Sequence, residues 1–233
     1  MRLLVIDTAL GLCTAGVFRV EGDQVESLGL CSEAMTRGHS ERLAGMVRDA
    51  VRHSGGGFGD LDRIGVTVGP GSFTGLRVGL AFAQGLGAAL GRPVIGLSSL
   101  DALAASVAPA AVTVAVIDAR RGQVYGRVWR NGVASQPPEA WTLERAQTIV
   151  ADAEILESQI SGSDGEGIMI VGSGVSLISQ AEGWPLDGPD PAALARLTAA
   201  ADPAGHPPRP LYLRAPDATP PTRLPGQARG PRP

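Results

Sequence analysis

Aromatic side chains are scarce in this chain, at 4% of 233 residues. That leaves no evident platform for stacking bases. Neither sign of charge dominates. The formal net charge is −3, which gives no electrostatic case for a nucleic-acid binder acting alone. Cysteine is nearly absent. Cys13 and Cys31 stand without a CxxC spacing or a nearby histidine pair, and they read as reduced thiols of a cytoplasmic core. Long apolar runs are missing as well. The N-terminal run ends after four residues at Asp7, which does not make a signal peptide. The charge-free stretches 78–91 and 102–117 fall short of the roughly 18 apolar residues of a membrane span. What is present is a hydrophobic content of 44% and a mean hydropathy of +0.11. Those values describe a globular chain with enough length for a real core.

Residues 3–6 form a short buried-strand signal. Two apolar segments flank "EGDQ", where Gly22-Asp23 marks a hairpin turn. "GHSERLAGMVRDAVRH" then places Leu43, Met46, Val47 and Ala50 at helical spacing, with Ser40 expected near the cap and Gly55 to Gly57 as the stop. "RIGVTV" reads as a strand, "GPGS" as a turn, 73–90 as a helix and "PVIGL" as another strand. "SSLDALA" opens a helix with Ser98 or Ser99 as its cap.

The pattern then restarts. Val5-Ile6-Asp7 matches Val116-Ile117-Asp118, and Gly11 and Gly122 each follow their aspartate by four residues. A hairpin is expected after each, turning at Gly22 and at Asn131-Gly132. The repeat predicts two copies of one βββαβα-type unit, divided near residues 105–111. In the second copy "ASQPPEAW" reads as a loop, 142–160 as one or two helices, "SGSDGEG" as a flexible loop, "IMIV" as a strand and 192–201 as a short helix. "RPLYLR" looks extended. The last twenty residues, 214–233, are rich in proline and arginine and are expected to be a disordered tail.

Acidic residues at the ends of two duplicated opening strands are the plan of an actin-like, sugar-kinase-like ATPase. Such phosphate loops need glycine right after the aspartate. Here Thr8 and Ala9 follow Asp7, and Ala119, Arg120 and Arg121 follow Asp118. Both loops are bulky for a phosphate grip. His39 opens a helix, but the i+4 position that a paired metal ligand needs is Leu43. Ser72 lies in "GPGSFTG", which is not a Gly-x-Ser-x-Gly nucleophile elbow.

The helix after Gly69, Pro70 and Gly71 carries the most informative pattern. The loop has the layout of a phosphate loop without its lysine. Gly75, Gly79, Ala83 and Gly87 make a ridge of small residues, and Leu76, Leu80 and Leu86 supply bulk. Beyond Ser72 and Thr74, only Arg77 and Gln84 are polar. A helix apolar on nearly every side needs cover on more than one face. The cover comes either from this chain's own core or from a second subunit, brought close over the small ridge.

The segments "IDTA", "GHSERL", "GPGSFTGLRVG", "GLSSLDALA", "IDARRGQVY" and "PLYLR" span nearly the whole chain before the tail. With them the chain resembles the TsaB (YeaZ) family, needed to make threonylcarbamoyladenosine in tRNA. The resemblance implies an α/β, actin-like/Hsp70-like fold of two ribonuclease H-like halves with mixed sheets, at 1–107 and 108–213. It implies kinship with the transferase TsaD, which carries a His-x-x-x-His metal site. This chain has His39 and Leu43 where such a pair is sought, as in a catalytically degenerate relative. The implied role is a non-catalytic subunit that pairs with TsaD, with the ATPase TsaE joining, tRNA met indirectly or weakly, and the same surface able to form a homodimer when TsaD is absent. ATP and Mg are expected only through the partners, and no membrane is implied. The implied partner surface carries His39, Leu43, Met46, Val47, Ala50, Gly75, Leu76, Gly79, Leu80, Ala83, Leu86 and Gly87. An autonomous ATP-using enzyme is the alternative. A glycoprotease label attached to the family finds no protease constellation here.

Overall fold

The computed structural model describes residues 1–160, 167–178 and 183–214. The first sheet has the order β3-β2-β1-β4-β5, built from β1 (Arg2–Asp7), β2 (Leu12–Glu21), β3 (Gln24–Ala34), β4 (Arg63–Gly69) and β5 (Val94–Ser98). β1 runs antiparallel to β2 and parallel to β4. Its side chains alternate between two cores, as a strand period of two requires. Leu4 and Ile6 face α1 (His39–His53) and α2 (Phe73–Leu90). Leu3 and Val5 face α6 (Pro191–Ala200). A central strand covered on both faces explains the unbroken apolar run.

The second sheet joins β6 (Val112–Arg120), β7 (Gln123–Arg130), β8 (Val133–Ala134), β9 (Glu139–Thr142) and β10 (Ile168–Val171). β6 is antiparallel to β7 and parallel to β10, repeating the relations of β1 to β2 and β4. A lone parallel bridge between Val171 and Trp184 stands where the first sheet continues into β5. The duplication extends to the loops. The N–H of Ala9 donates to Asp7 Oδ1 at 3.1 Å, and that of Arg120 to Asp118 Oδ1 at 2.7 Å. Val112, Val114 and Val116 face α4 (Leu143–Ile160), while Ala115 and Ile117 face α3 (Ser99–Ala104). Thus α3, from the first copy, packs on the second sheet, and α6, from late in the chain, packs on the first. This is the actin-like arrangement of two ribonuclease H-like units.

Several local expectations change. The "QPPEAW" loop contains β9, held because Trp141 pairs opposite Val124 and lies over Gly126. A Cβ on Gly126 would come within 1.9 Å of the Trp141 ring. One helix, α4, covers the 142–160 region, and a short α5 (Val175–Ile178) follows Gly174. Ser40 is not the α1 cap. That position belongs to Gly38, whose φ of 86° suits glycine. Ser98 caps α3, accepting from the Asp101 N–H at 3.4 Å. Asn131 and Gly132 both have positive φ, 49° and 74°, as a two-residue hairpin demands. The expected tail, from residue 215 on, and most of "SGSDGEG" lie outside the described residues. By length and composition α2 alone, among the described helices, would suffice to cross a membrane, at a mean hydropathy of 1.2. It packs instead on β4 and β1.

Candidate functional site

A cavity of about 600 Å³ opens between the two halves. The first half lines it with the loop Ala9 to Gly11, with His39 at the start of α1, and with Gly71 and Ser72 before α2. The second half adds Asp118, Ala119 and Arg120, together with Tyr125, Ser173 and Asp187. The floor is closed by the Gly11 N–H, which donates to the Asp187 carbonyl at 2.7 Å.

Asp7 and Thr8 do not belong to this lining, although the sequence placed both in the phosphate-loop position. Asp7 is buried under the end of β1. Its Oδ1 accepts from Thr67 Oγ1 at 2.6 Å and from the Ala9 N–H. Oδ2 is buried without a hydrogen-bond partner among the described residues. Burial pushes the carboxyl above its ordinary range, opposed by those hydrogen bonds. Asp7 therefore braces β1 against β4. Thr8 donates to the Gly75 carbonyl at 2.8 Å and anchors α2.

Asp118 does face the cavity. Its N–H donates to Ser173 Oγ at 3.2 Å, and its carboxylate pairs with Arg120 at 3.1 Å. Arg120 and Arg121 adopt φ of 63° and 55° in the β6–β7 turn. The Arg120 side chain is 85% exposed. His39 also lines the cavity. It is 6% exposed, and its Nε2 is buried with no hydrogen-bond partner among the described residues. Leu43, one turn on, belongs to the first core. Gly69 and Pro70 are not among the lining residues, and Gly69 lies against Leu76 and the Leu211 carbonyl. Ser72 caps α2, accepting from the Gly75 N–H at 3.2 Å. Thr74 and Arg77 are exposed on the first turns of α2. The Arg77 guanidinium sits 3.9 Å over the Phe73 ring and donates to the Tyr212 hydroxyl at 3.3 Å.

The residues named as a partner surface need correction. Leu43, Met46, Val47, Ala50, Gly75, Leu76, Gly79, Leu80, Ala83 and Gly87 are all buried within this chain, as is His39. Only Leu86 is partly exposed. The glycine ridge brings α2 onto its own fold. A Cβ on Gly75 would stand 2.0 Å from the Thr8 carbonyl oxygen, and one on Gly79 would stand 2.3 Å from Thr8 Oγ1. The outward face of α2 carries Ala81, Gly85, Ala88 and Ala89, and α1 beside it adds Ala44 and the half-buried Gly45.

Asp187, Ser173 and Tyr125 were not singled out from the sequence. Nothing in local spacing brings residue 187 against residue 11. The cysteines are both free, and Cys13 is buried. Burial, with the nearby Asp7 and Glu33 carboxylates, raises the Cys13 thiol to about 11, which keeps it inert.

A family model for TsaD, tRNA N6-adenosine threonylcarbamoyltransferase, matches residues 23–133. An uncharacterised protein of Mycobacterium tuberculosis is 36% identical over 220 residues, covering 94% of each chain. A longer uncharacterised protein of Mycobacterium leprae is 40% identical over 136 residues, 58% of this chain, which spans 37% of that protein's length. The tRNA threonylcarbamoyladenosine biosynthesis protein TsaB of Escherichia coli is 32% identical over 176 residues, covering 73% of this chain and 71% of that protein. The chain belongs to the TsaB family. The fold of this TsaB-family chain is shared by YeaZ from Pseudomonas aeruginosa. That solved structure superposes with a TM-score of 0.68 at 24% identity, over 91% of this chain and 99% of the other.

Proposed function

We propose that this TsaB-family chain is a non-catalytic subunit. It holds TsaD in the arrangement that transfers a threonylcarbamoyl group to the adenosine beside the tRNA anticodon. The observation that carries this reading is the outward face of α2. The helix has a mean hydropathy of 1.2, yet only 33% of it is buried. A Cβ on Gly45 or Gly85 would meet nothing within 4 Å. Each such helical glycine costs about 1 kcal/mol relative to alanine, and no contact among the described residues offsets that cost. A flat face of small residues lets a second pair of helices approach closely.

The TsaD family model spans α1, α2 and α3 of this chain, so TsaD presents a comparable helix pair. Like surfaces then meet about a near two-fold axis. The same logic permits a homodimer when TsaD is absent. TsaE, with ATP and Mg, joins through the larger complex. The non-catalytic role is supported by the burial of Asp7, which turns one of the two strand-end carboxylates into a structural brace.

The test is reconstitution. Adding the full chain to TsaD and TsaE should switch on threonylcarbamoyl transfer to tRNA, and a folded Gly85→Arg chain should not. Equal rescue by Gly85→Arg overturns the assigned face. Nucleotide hydrolysis by the chain alone overturns the non-catalytic role.

A further inference from the structure

We propose that residues 206–214 are a strap that holds the two halves closed over the cavity, with Arg214 as its catch and Tyr212 as its handle. A contact at the start of α2 that displaces Tyr212 would release it. The proposal does not depend on which partner covers α2.

The strap comes late in the chain, yet it lies along the first half. Pro207, Pro208 and Pro210 fix their φ and offer no N–H, so the segment stays extended without a neighbouring strand. The Gly96 N–H of β5 donates to the His206 carbonyl at 2.9 Å. Glycine is needed there, because a Cβ would stand 2.6 Å from the Pro207 carbonyl oxygen. Gln84 of α2 donates to the Pro208 carbonyl at 2.7 Å. The Leu211 N–H donates to the Val68 carbonyl of β4 at 2.7 Å, and the Leu211 side chain packs on the first core. The Tyr212 ring lies 5.3 Å from that of Phe73, and its hydroxyl accepts from Arg77 at 3.3 Å. Elements β5, β4 and α2 of the first half thus all hold the strap.

Two residues further on, the strap crosses to the other half. Arg214 Nη1 donates to the Ala119 carbonyl at 2.7 Å. The fold leaves that acceptor over. The β6–β7 register shifts between Asp118 and Arg120, so Ala119 is a bulge residue without an opposite on β7. Ala119 is 7% exposed, and a buried carbonyl seldom goes without a donor. A guanidinium donor makes the bond charge-assisted and stronger than a neutral one.

Its place gives this bond leverage. Helices α3 and α6, which cross between the halves, contribute nothing to the cavity lining. At the lining the halves meet through the Gly11 N–H and the Asp187 carbonyl, and through Arg214 and Ala119. Two units joined by crossing helices can hinge about them, and contacts away from the hinge set how often the gap opens. Phe73 and Tyr212 are 49% and 44% exposed, so a partner on α2 can reach the handle while the catch stays covered.

Gly11 supplies the readout, because its N–H bridges the halves and exchanges with solvent when they part. Hydrogen exchange of the full, isotope-labelled chain is followed by NMR. Arg214→Ala should quicken Gly11 exchange by about tenfold or more, as expected for a lost charge-assisted bond. Tyr212→Ala should quicken it at least about threefold, with Arg214 and Ala119 both in place. The amides of Ile6 and Val116, inside the two sheets, should keep the parent rate in both variants. Arg209→Ala, at an exposed position of the same strap, should match the parent throughout. Four results would overturn the proposal: a parent-like Gly11 rate in a folded Arg214→Ala chain, a parent-like rate in Tyr212→Ala, equal quickening in Arg209→Ala, or equal quickening at Ile6 and Val116.

Discussion

Gly79 and Gly85 lie on the same helix and should respond in opposite directions to one added methyl group. A Cβ at Gly79 would stand 2.3 Å from Thr8 Oγ1. Thr8 has no room to yield, being 1% exposed with its hydroxyl committed to the Gly75 carbonyl at 2.8 Å. Overpacking a core site costs about 1–3 kcal/mol, and replacing a helical glycine by alanine returns about 1 kcal/mol. Gly79→Ala should therefore be destabilised by about 0–2 kcal/mol net. At Gly85 the new methyl group meets nothing within 4 Å, so only the propensity gain remains, about 1 kcal/mol of stabilisation. The two variants should thus separate by about 1–3 kcal/mol. Urea unfolding followed by circular dichroism measures the difference, provided the denaturant slope stays constant. Equal stabilisation of both variants would refute the seating of the glycine ridge on Thr8.

Asp7 supplies a pH test. Burial raises its folded pKa above the ordinary 3.8, so the folded state keeps a proton over a range where the unfolded chain has lost it. Stability from this group is full below about pH 4 and falls as pH climbs through the folded value. Asp7→Asn retains an acceptor for Thr67 and Ala9 without the charge. It should lose that slope and exceed the parent in stability at about pH 7.5, and a parent-like slope in urea titrations would argue against it. Trp141→Ala removes a side chain that is 1% exposed over Gly126. It should cost about 3–5 kcal/mol, read as a lowered unfolding midpoint, and a loss below about 1 kcal/mol would mean that β9 is not held by that ring.

The duplication was legible in the sequence because it lies in periodicity and punctuation. Val5-Ile6-Asp7 and Val116-Ile117-Asp118 end corresponding strands, and their aspartates make the same turn contact two residues on. The small-residue ridge was legible as a close-packing device, but the partner it packs against was not. Gly75 and Gly79 fit the backbone and side chain of Thr8, some seventy residues earlier in the chain, and no local pattern reports a contact of that range. Exposed Ala81 and Gly85 resemble buried Ala83 and Gly79 in composition, so only the fold separates the two faces. β9 escaped notice because "QPPEAW" is punctuated like a loop, while its pairing depends on Trp141 finding Gly126. Asp187 was hidden for the same reason: its place in the cavity follows from the folding of the second half back onto Gly11.

The partner role rests on the outward face of α2, and the affinity of the purified full chain for TsaD tests it most directly. Gly85→Arg places a long cation where a neighbouring helix would have to lie, at a position where the chain itself leaves open space. Asp23→Arg, in the exposed β2–β3 turn, serves as the control. Calorimetric titration should show binding by the parent and by Asp23→Arg, and a loss of at least about a hundredfold in a folded Gly85→Arg chain, equivalent to about 2.8 kcal/mol. Parent-like affinity in that variant would contradict the assignment.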